Sequence, residues 1–349
     1  MDEDERPIWA GRDEDDEAPR RALPAKRRRR RWVAPLVVLL ALAVVAAGGL
    51  FVYASSLQQR ISENLDRTAE LPDESLRPSA APEAPGGDGA QPVNVVLMGS
   101  DSRGEGDAGR SDTLMVAHLS GDRQTAYLIS FPRDMWVEIP GRGMDKINAA
   151  YAYGGTALTV ATIEGLLDAR MDHLAVVDFT GFIELTDAVG GVTVDNEHAF
   201  SSHGHDYPVG EVELSGEKAL WFVRERKSLP EGDLDRAENQ RKVVQAIVAK
   251  GISPQVLADP GRFTAFVGGI AAHTQVSSGL TDQVIRETAL SLRLDGRDDI
   301  VSLQAPISGF GTSPGGASID VVDEAQLAEM AEALQQDTMD EYVSTYPPE

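Results

Sequence analysis

The chain contains no cysteine among its 349 residues. That excludes a disulfide scaffold and any metal site built on thiolates. Positive charge is also scarce: 32 lysines and arginines face 56 aspartates and glutamates, for a formal net charge of −24. Acids and bases nearly balance over residues 1–31, so the acidic excess lies beyond them. A surface of that sign repels nucleic acid, whose binding rests on neutralising phosphates. Any phosphate-binding site must therefore be a local gathering of basic groups. No internal repeat is present, and the length suits one large domain or two small ones with ample core.

Residues 1–20 are acidic and poor in apolar side chains, the composition of a disordered tail. Lys26 and Arg27 to Arg31 follow as an unbroken basic cluster. Trp32 to Ser55 then carry no charge, about 24 residues or roughly 36 Å of helix, enough to span a bilayer. A core helix of that length would be amphipathic, and the run exceeds a usual signal-peptide apolar region, with only weak cleavage sites near Ala46 and Ala54. The expectation is an uncleaved anchor with residues 1–31 cytoplasmic and everything after residue 55 outside. Residues 56–92 read as a short polar helix over Ser55–Leu71 and a flexible Pro/Gly-rich linker over Pro72–Pro92. A single α/β domain is expected over residues 93–340, with 341–349 a frayed tail.

Within that domain the strand-like runs are Val93–Met98, Thr113–Leu119, Thr125–Phe131, Leu174–Phe179, Val192–Val194 and Ile300–Leu303. Helical patterns fall at Ala157–Leu167, Phe182–Val189, Glu217–Arg226, Asp235–Lys250, Arg262–Ala272, Thr281–Leu292 and Asp323–Gln336. Strands that are apolar without a break predict an α-β-α arrangement, a central sheet covered on both faces.

Chemistry concentrates at the ends of these strands. Asn94-Val-Val-Leu-Met-Gly99-Ser-Asp101-Ser-Arg103 is followed by Arg110-Ser-Asp112-Thr113, so two acids and two arginines share a short loop. Carboxylate oxygens suit a hard cation, and the arginine fork matches phosphate; a salt-bridged surface turn is the plainer alternative. Phe131-Pro132-Arg133-Asp134 ends another strand, because proline cannot extend a central ladder, and presents Arg133 where ligands sit in open α/β sheets. Lys146-Ile-Asn-Ala-Ala-Tyr151 opens a helical region, and Asp178 is expected to cap the helix after it. In the run Arg224-Glu225-Arg226…Asp233…Asp235-Arg236…Gln240, the last cluster has Asp233, Arg236 and Gln240 on one helix face; a surface ion pair worth under about 1 kcal/mol is its bland counterpart. Three signals carry little. Gly104-Glu-Gly-Asp-Ala-Gly109 precedes a strand instead of a helix, His203-Gly-His205-Asp206 reads as a mobile polar turn, and His173 as a structural histidine.

Taken in order, these motifs, with Val177-Asp-Phe and Gly190-Gly-Val, resemble the LytR-CpsA-Psr family of bacterial cell-wall enzymes over roughly Val93 to Lys250. The resemblance implies a membrane-anchored phosphotransferase. It would move a glycopolymer from a polyprenyl-pyrophosphate carrier to the 6-hydroxyl of peptidoglycan N-acetylmuramic acid, forming a phosphodiester. By position it implies Asp101 and Asp112 as ligands of Mg2+, with Mn2+ as an alternative ion. It implies Arg103, Arg110, Arg133, Arg224, Arg236 and Gln240 as pyrophosphate binders, and Arg133 and Asp233 as catalytic. The implied partners are the lipid-linked polymer, peptidoglycan and membrane lipid, with no nucleic acid. Asp235 and Asn239 depart from the family pattern, which often has glycine and a second arginine there; both bear on how the far phosphate is held. Phe263–Ile270, with Ala265, Gly268 and Gly269, is a stretch able to line an apolar groove for the carrier. A lipid-pyrophosphate hydrolase, a non-catalytic wall-polymer binder and a transcription attenuator remain alternatives.

Overall fold

Asn94 apart, Val93 to Met98 is wholly apolar, yet the two faces of this strand meet different surroundings. In the computed structural model, which describes residues 59, 62–79, 91–100 and 111–348, it is strand β2, Val93–Ser100. Asn94, Val96, Met98 and Ser100 are buried, while Val95, Leu97 and Gly99 are half-buried. One face is sealed by packing and the other opens onto a groove, which the uniform sequence does not distinguish.

The strands are β1 Asp66–Ala69, β2, β3 Ser111–Leu119, β4 Ala126–Ser130, β5 Trp136–Ile139, β6 Gly143–Lys146, β7 His173–Asp178, β8 Val192–Asn196, β9 Phe200–Ser202, β10 His205–Tyr207, β11 Gly210–Leu214, β12 Thr274–Ser277, β13 Ile300–Gln304, β14 Ile307–Thr312 and β15 Ser318–Val322. The helices are α1 Ala149–Leu167, α2 Phe179–Ala188, α3 Gly216–Arg224, α4 Asp233–Gly251, α5 Pro254–Leu257, α6 Pro260–Ala272, α7 Asp282–Ser291, α8 Glu324–Gln336 and α9 Met339–Thr345. Seven strands form the central mixed sheet in the order β1-β12-β7-β2-β3-β4-β13. β2 runs parallel to β7 and antiparallel to β3, so it sits at the centre with its C-terminal end beside that of β7. The larger core joins Val96, Met98, Val116 and Ile129 of the sheet to Val160, Ile163 and Leu167 of α1 and to Met330 and Leu334 of α8. A second core lies among α3, α4 and the β8–β11 ladder, around Phe200, Tyr207 and Phe222. The fold is thus mixed α/β with a central sheet.

The described residues all fall in the unit Ser55–Glu349. The expected membrane span at 32–55, the basic cluster and residues 101–110 lie outside them. Among the described residues no helix is long and apolar enough to cross a membrane.

Several expectations are corrected. The polar helix expected over Ser55–Leu71 is helical at described residues 59 and 62–64 but does not reach Leu71: Asp66–Ala69 is a strand that pairs parallel with β12. The described part of the expected linker is pinned: Arg77, whose side chain is 4% exposed, donates to the Glu164 carboxylate with Nη2–Oε1 at 2.7 Å. Glu164 is only 2% exposed and also accepts from Met171 N at 2.9 Å, so a charge on a Pro-rich strip is paired inside the core. Removing one partner of such a pair typically costs about 3–5 kcal/mol. The expected tail contains α9, whose Met339 and Tyr342 are buried against the larger core. The helix expected over Ala157–Leu167 is present, and a further helical segment from Ala149 precedes it across a kink at Gly154 and Gly155, whose dihedrals are not helical. His203 is no mobile turn residue; it stacks on Trp221 with ring centroids 3.5 Å apart at the β9–β10 turn. Asp178 caps α2 as expected, accepting from Gly181 N at 2.7 Å.

Candidate active site

Strand β4 stops at Ser130, and Pro132 turns the chain. The Pro132 carbonyl accepts from Met135 N at 3.0 Å, and the Arg133 carbonyl accepts from Asn148 N at 3.2 Å. Ile147, fully buried, donates its N–H to the Met135 carbonyl at 2.8 Å. The Lys146-Ile-Asn segment is therefore the clamp that fixes the backbone of Arg133. A guanidinium on such a turn is held in place before any ligand arrives.

Helix α4 supplies the opposing wall. Asp233 and Arg236 lie one turn apart on it, as the i,i+3 spacing predicts, with Asp233 Oδ1 2.8 Å from Arg236 Nη2. The same oxygen is 3.3 Å from Arg133 Nε and 4.0 Å from Arg226 Nη1. One carboxylate oxygen thus gathers three guanidiniums from three segments. Burial pushes the Asp233 carboxyl above its ordinary value, and the charges of Arg236 and Arg133 offset only part of that rise. Asp235 faces elsewhere and closes the loop before the helix, accepting from Glu231 N at 2.7 Å. Its departure from the family pattern is thus a local structural bond.

Arg224, at the end of α3, lies over the rings of Phe179 at 4.4 Å and Trp221 at 5.2 Å, a cation–π contact that holds it in place. Gln240 anchors α4 to α3 by donating to the Val223 carbonyl at 3.2 Å. These residues surround a cavity of about 500 Å³. Arg133, Arg224, Arg226 and Arg236 all border it, and Leu97, Ala175, Val177, Phe182, Phe266 and Ile270 form its apolar interior. The groove-lining stretch expected at Phe263–Ile270 contributes two of those side chains. The open face of β2 faces this space.

On the other side of Arg133 is an acidic group. Lys146 Nζ lies 3.0 Å from Asp134 Oδ1. Asp320, 5% exposed, donates its backbone N–H to the Asp134 carbonyl at 2.9 Å. Burial, with the charges of Asp134 and Asp233, pushes the Asp320 carboxyl up to about 6. Sequence reasoning missed Asp320 because nothing marks a lone acid in Ala317-Ser-Ile-Asp320-Val as near a site; only the β14–β15 hairpin brings it there.

The structure brings together Arg133, Asp233, Arg224, Arg236 and Gln240. It adds Arg226, which sequence reading quoted in its cluster without assigning it a role, and Lys146 and Asp134. Asp101, Arg103 and Arg110 lie outside the described residues. Asp112 is in strand β3, whose neighbouring Thr113 pairs with Gly99; both of those border the cavity. Among the described residues no cluster of three His, Asp or Glu side chains forms a metal site.

Four guanidiniums and a largely apolar lining share one cavity on a mixed α/β frame. The chain belongs to the LytR_cpsA_psr family, whose model matches residues 50–336. It is 40% identical over 219 residues to a polyisoprenyl-teichoic acid–peptidoglycan teichoic acid transferase TagU of Bacillus mycoides, covering 62% of this chain and 71% of that protein. With the TagU of Enterococcus faecalis it shares 33% identity over 279 residues, 78% of this chain and 87% of the relative. The chain spans 59% of the length of a Bacillus cereus relative of the same name. A solved structure, TagT bound to LIIa-WTA, superposes with a TM-score of 0.58 at 26% identity, covering 77% of this chain and all of that one.

Proposed function

We propose that this protein transfers a wall glycopolymer from a polyprenyl-pyrophosphate carrier to a peptidoglycan hydroxyl, forming a phosphodiester. The observation that carries the reading is the junction of arginines and apolar cavity. A pyrophosphate diester has two negative charges, which the net-acidic chain would repel unless several cations converge. Arg133, Arg224, Arg226 and Arg236 converge there, and the apolar interior behind them suits a polyprenyl tail. The transferase names of the TagU relatives support the same reading.

In the reaction the acceptor oxygen bonds to the phosphorus that bears the glycopolymer, and the bond from that phosphorus to the bridging oxygen breaks. Polyprenyl phosphate leaves with the bond's electron pair, and the hydroxyl proton passes to a carboxylate. Arg133 and Arg236, arrayed by Asp233, stabilise the charge that builds on the leaving phosphate. Arg224, braced on Phe179 and Trp221, and Gln240 set the position of the head group. Carboxylate oxygens suit Mg2+, and the resemblance by motif position makes Asp101 and Asp112 the residues that would hold it. When bound, the ion would neutralise phosphate charge. Anchoring by residues 32–55, with the domain outside the cell, puts this site where carrier and wall meet.

Turnover of a lipid-pyrophosphate sugar with and without a peptidoglycan acceptor, with and without EDTA, tests the reading. Transfer that requires acceptor supports it. Acceptor-independent release of sugar phosphate would make the protein a hydrolase, and binding without turnover a carrier.

A further inference from the structure

Outside the arginine cluster, one buried titratable group has no part in the proposed chemistry. Asp320 lies on the inner strand of the β14–β15 hairpin, and its residue bridges to Met135 beside the Arg133 turn. Its side chain is almost wholly enclosed, and Oδ2 has no hydrogen-bond partner among the described residues. The charged groups acting on it come from every neighbouring segment: Asp134 and Arg133 of the turn after β4, Lys146 at the end of β6, and Asp233 at the start of α4. No guanidinium or ammonium lies within ion-pair distance of it among the described residues, whereas Asp134 has Lys146 at 3.0 Å and Asp233 has Arg236 at 2.8 Å.

We propose that Asp320 is a titratable positioning residue of the pyrophosphate site, whose proton sets how strongly Arg133 and Lys146 hold the anionic head group. Asp320 ionised places a third carboxylate against two cations that already serve Asp134 and Asp233. That lowers the positive potential offered to phosphate. Protonated, it leaves the same cations with one anion fewer, and the site binds anions more tightly. Its raised affinity for a proton puts the changeover near pH 6. The inference rests on the proposed function, since it concerns the same site.

The test is isothermal titration of the full chain, in detergent, with inorganic pyrophosphate at pH 8 and pH 5. Asp320→Asn is compared with wild type at each pH, so that the ligand's own protonation cancels in the ratio. Asp320→Ser serves as a second uncharged variant. At pH 8 the variants should bind at least about threefold more tightly, a difference of about 0.7 kcal/mol. At pH 5 the ratio should fall to one, because the wild-type residue is then protonated. A ratio that stays at one, or that is the same at both pH values, overturns the assignment of Asp320 while leaving the pyrophosphate site intact. Wild type that binds no pyrophosphate at either pH overturns the proposed function and this inference with it. A purely structural residue would change the melting temperature without a pH-dependent ratio.

Discussion

Asp233 Oδ1 lies 2.8 Å from Arg236 Nη2 and, on its far side, 3.3 Å from Arg133 Nε, so one oxygen ties the first turn of α4 to the turn that ends β4. Those two segments are about a hundred residues apart, and the shared carboxylate explains why the arginines converge: it offsets the repulsion among them. Burial outweighs these charges and leaves the Asp233 carboxyl above its ordinary value, so it holds a proton more readily than a free aspartate.

The first prediction follows. Asp233→Asn keeps the shape and removes the charge. Inorganic pyrophosphate should bind no more weakly than to wild type, because a competing anion is gone, while transfer should fall about a hundredfold as the guanidiniums lose their common anchor. Calorimetry beside kcat decides it. Parallel loss of binding and turnover would show that Asp233 holds the ligand site together as a whole.

Arg133→Lys separates charge from geometry. The hydrogen bonds that shape its turn, Met135 N to Pro132 O and Asn148 N to Arg133 O, are backbone bonds and survive the change. The melting temperature should therefore stay near wild type. A lysine keeps one positive charge but loses the bidentate fork, so turnover should drop at least about tenfold, or 1.4 kcal/mol. Wild-type turnover in the lysine protein would mean that this residue supplies charge alone.

How much of this was legible beforehand depends on whether a residue acts through local spacing or through long-range packing. Asp233, Arg236 and Gln240 were placed together by helical periodicity, and Arg133 by a proline that had to end a strand. Asn94, the first residue of the most conspicuous motif, proves structural: it lies at the far end of β2, donates to the Arg170 carbonyl at 3.0 Å and contacts His118 at 2.7 Å. Likewise Gly190-Gly191 closes α2, with φ of +78° at both and Gly191 N donating to Thr186 O at 2.8 Å. Strands β1 and β12 escaped notice because Asp66-Arg-Thr-Ala and Thr274-Gln-Val-Ser lack the apolar run of a buried strand; they are made strands by their neighbours. Asp320 was invisible for the same reason, since a hairpin register, not a motif, delivers it.

The cavity makes its own prediction. Ala175 of β7 borders it between Leu97 and Val177, on the half-buried face of the sheet. Ala175→Phe would fill part of a space of about 500 Å³ without touching the arginines. Donors with a long polyprenyl tail should show a KM raised severalfold, while a short-chain donor should be nearly unaffected. An equal effect on both donors would place the tail outside this cavity. A melting temperature close to wild type is required for either result to count, since overpacking a filled core costs about 1–3 kcal/mol.

Asp320 also leaves a signature in stability. Burial raises its carboxyl from 3.8 to about 6 in the folded chain, so between those values the folded form binds more protons than the unfolded one. Stability then falls as pH rises through that window, because its slope follows the protons bound unfolded minus those bound folded. The cost of an ionised, enclosed Asp320 is fully present above about pH 6 and absent below about pH 4. Asparagine carries no such cost at any pH. Asp320→Asn should therefore melt higher than wild type at pH 8, by about 2 °C or more for a chain of this size, and the gap should close as the pH falls to 4. Scanning melting temperature against pH for both proteins measures it. A gap of constant size across pH 4–8 would show that Asp320 does not titrate in that window, and a variant that melts lower at pH 8 would show that the ionised carboxylate is a net stabilising partner of Lys146 and Arg133.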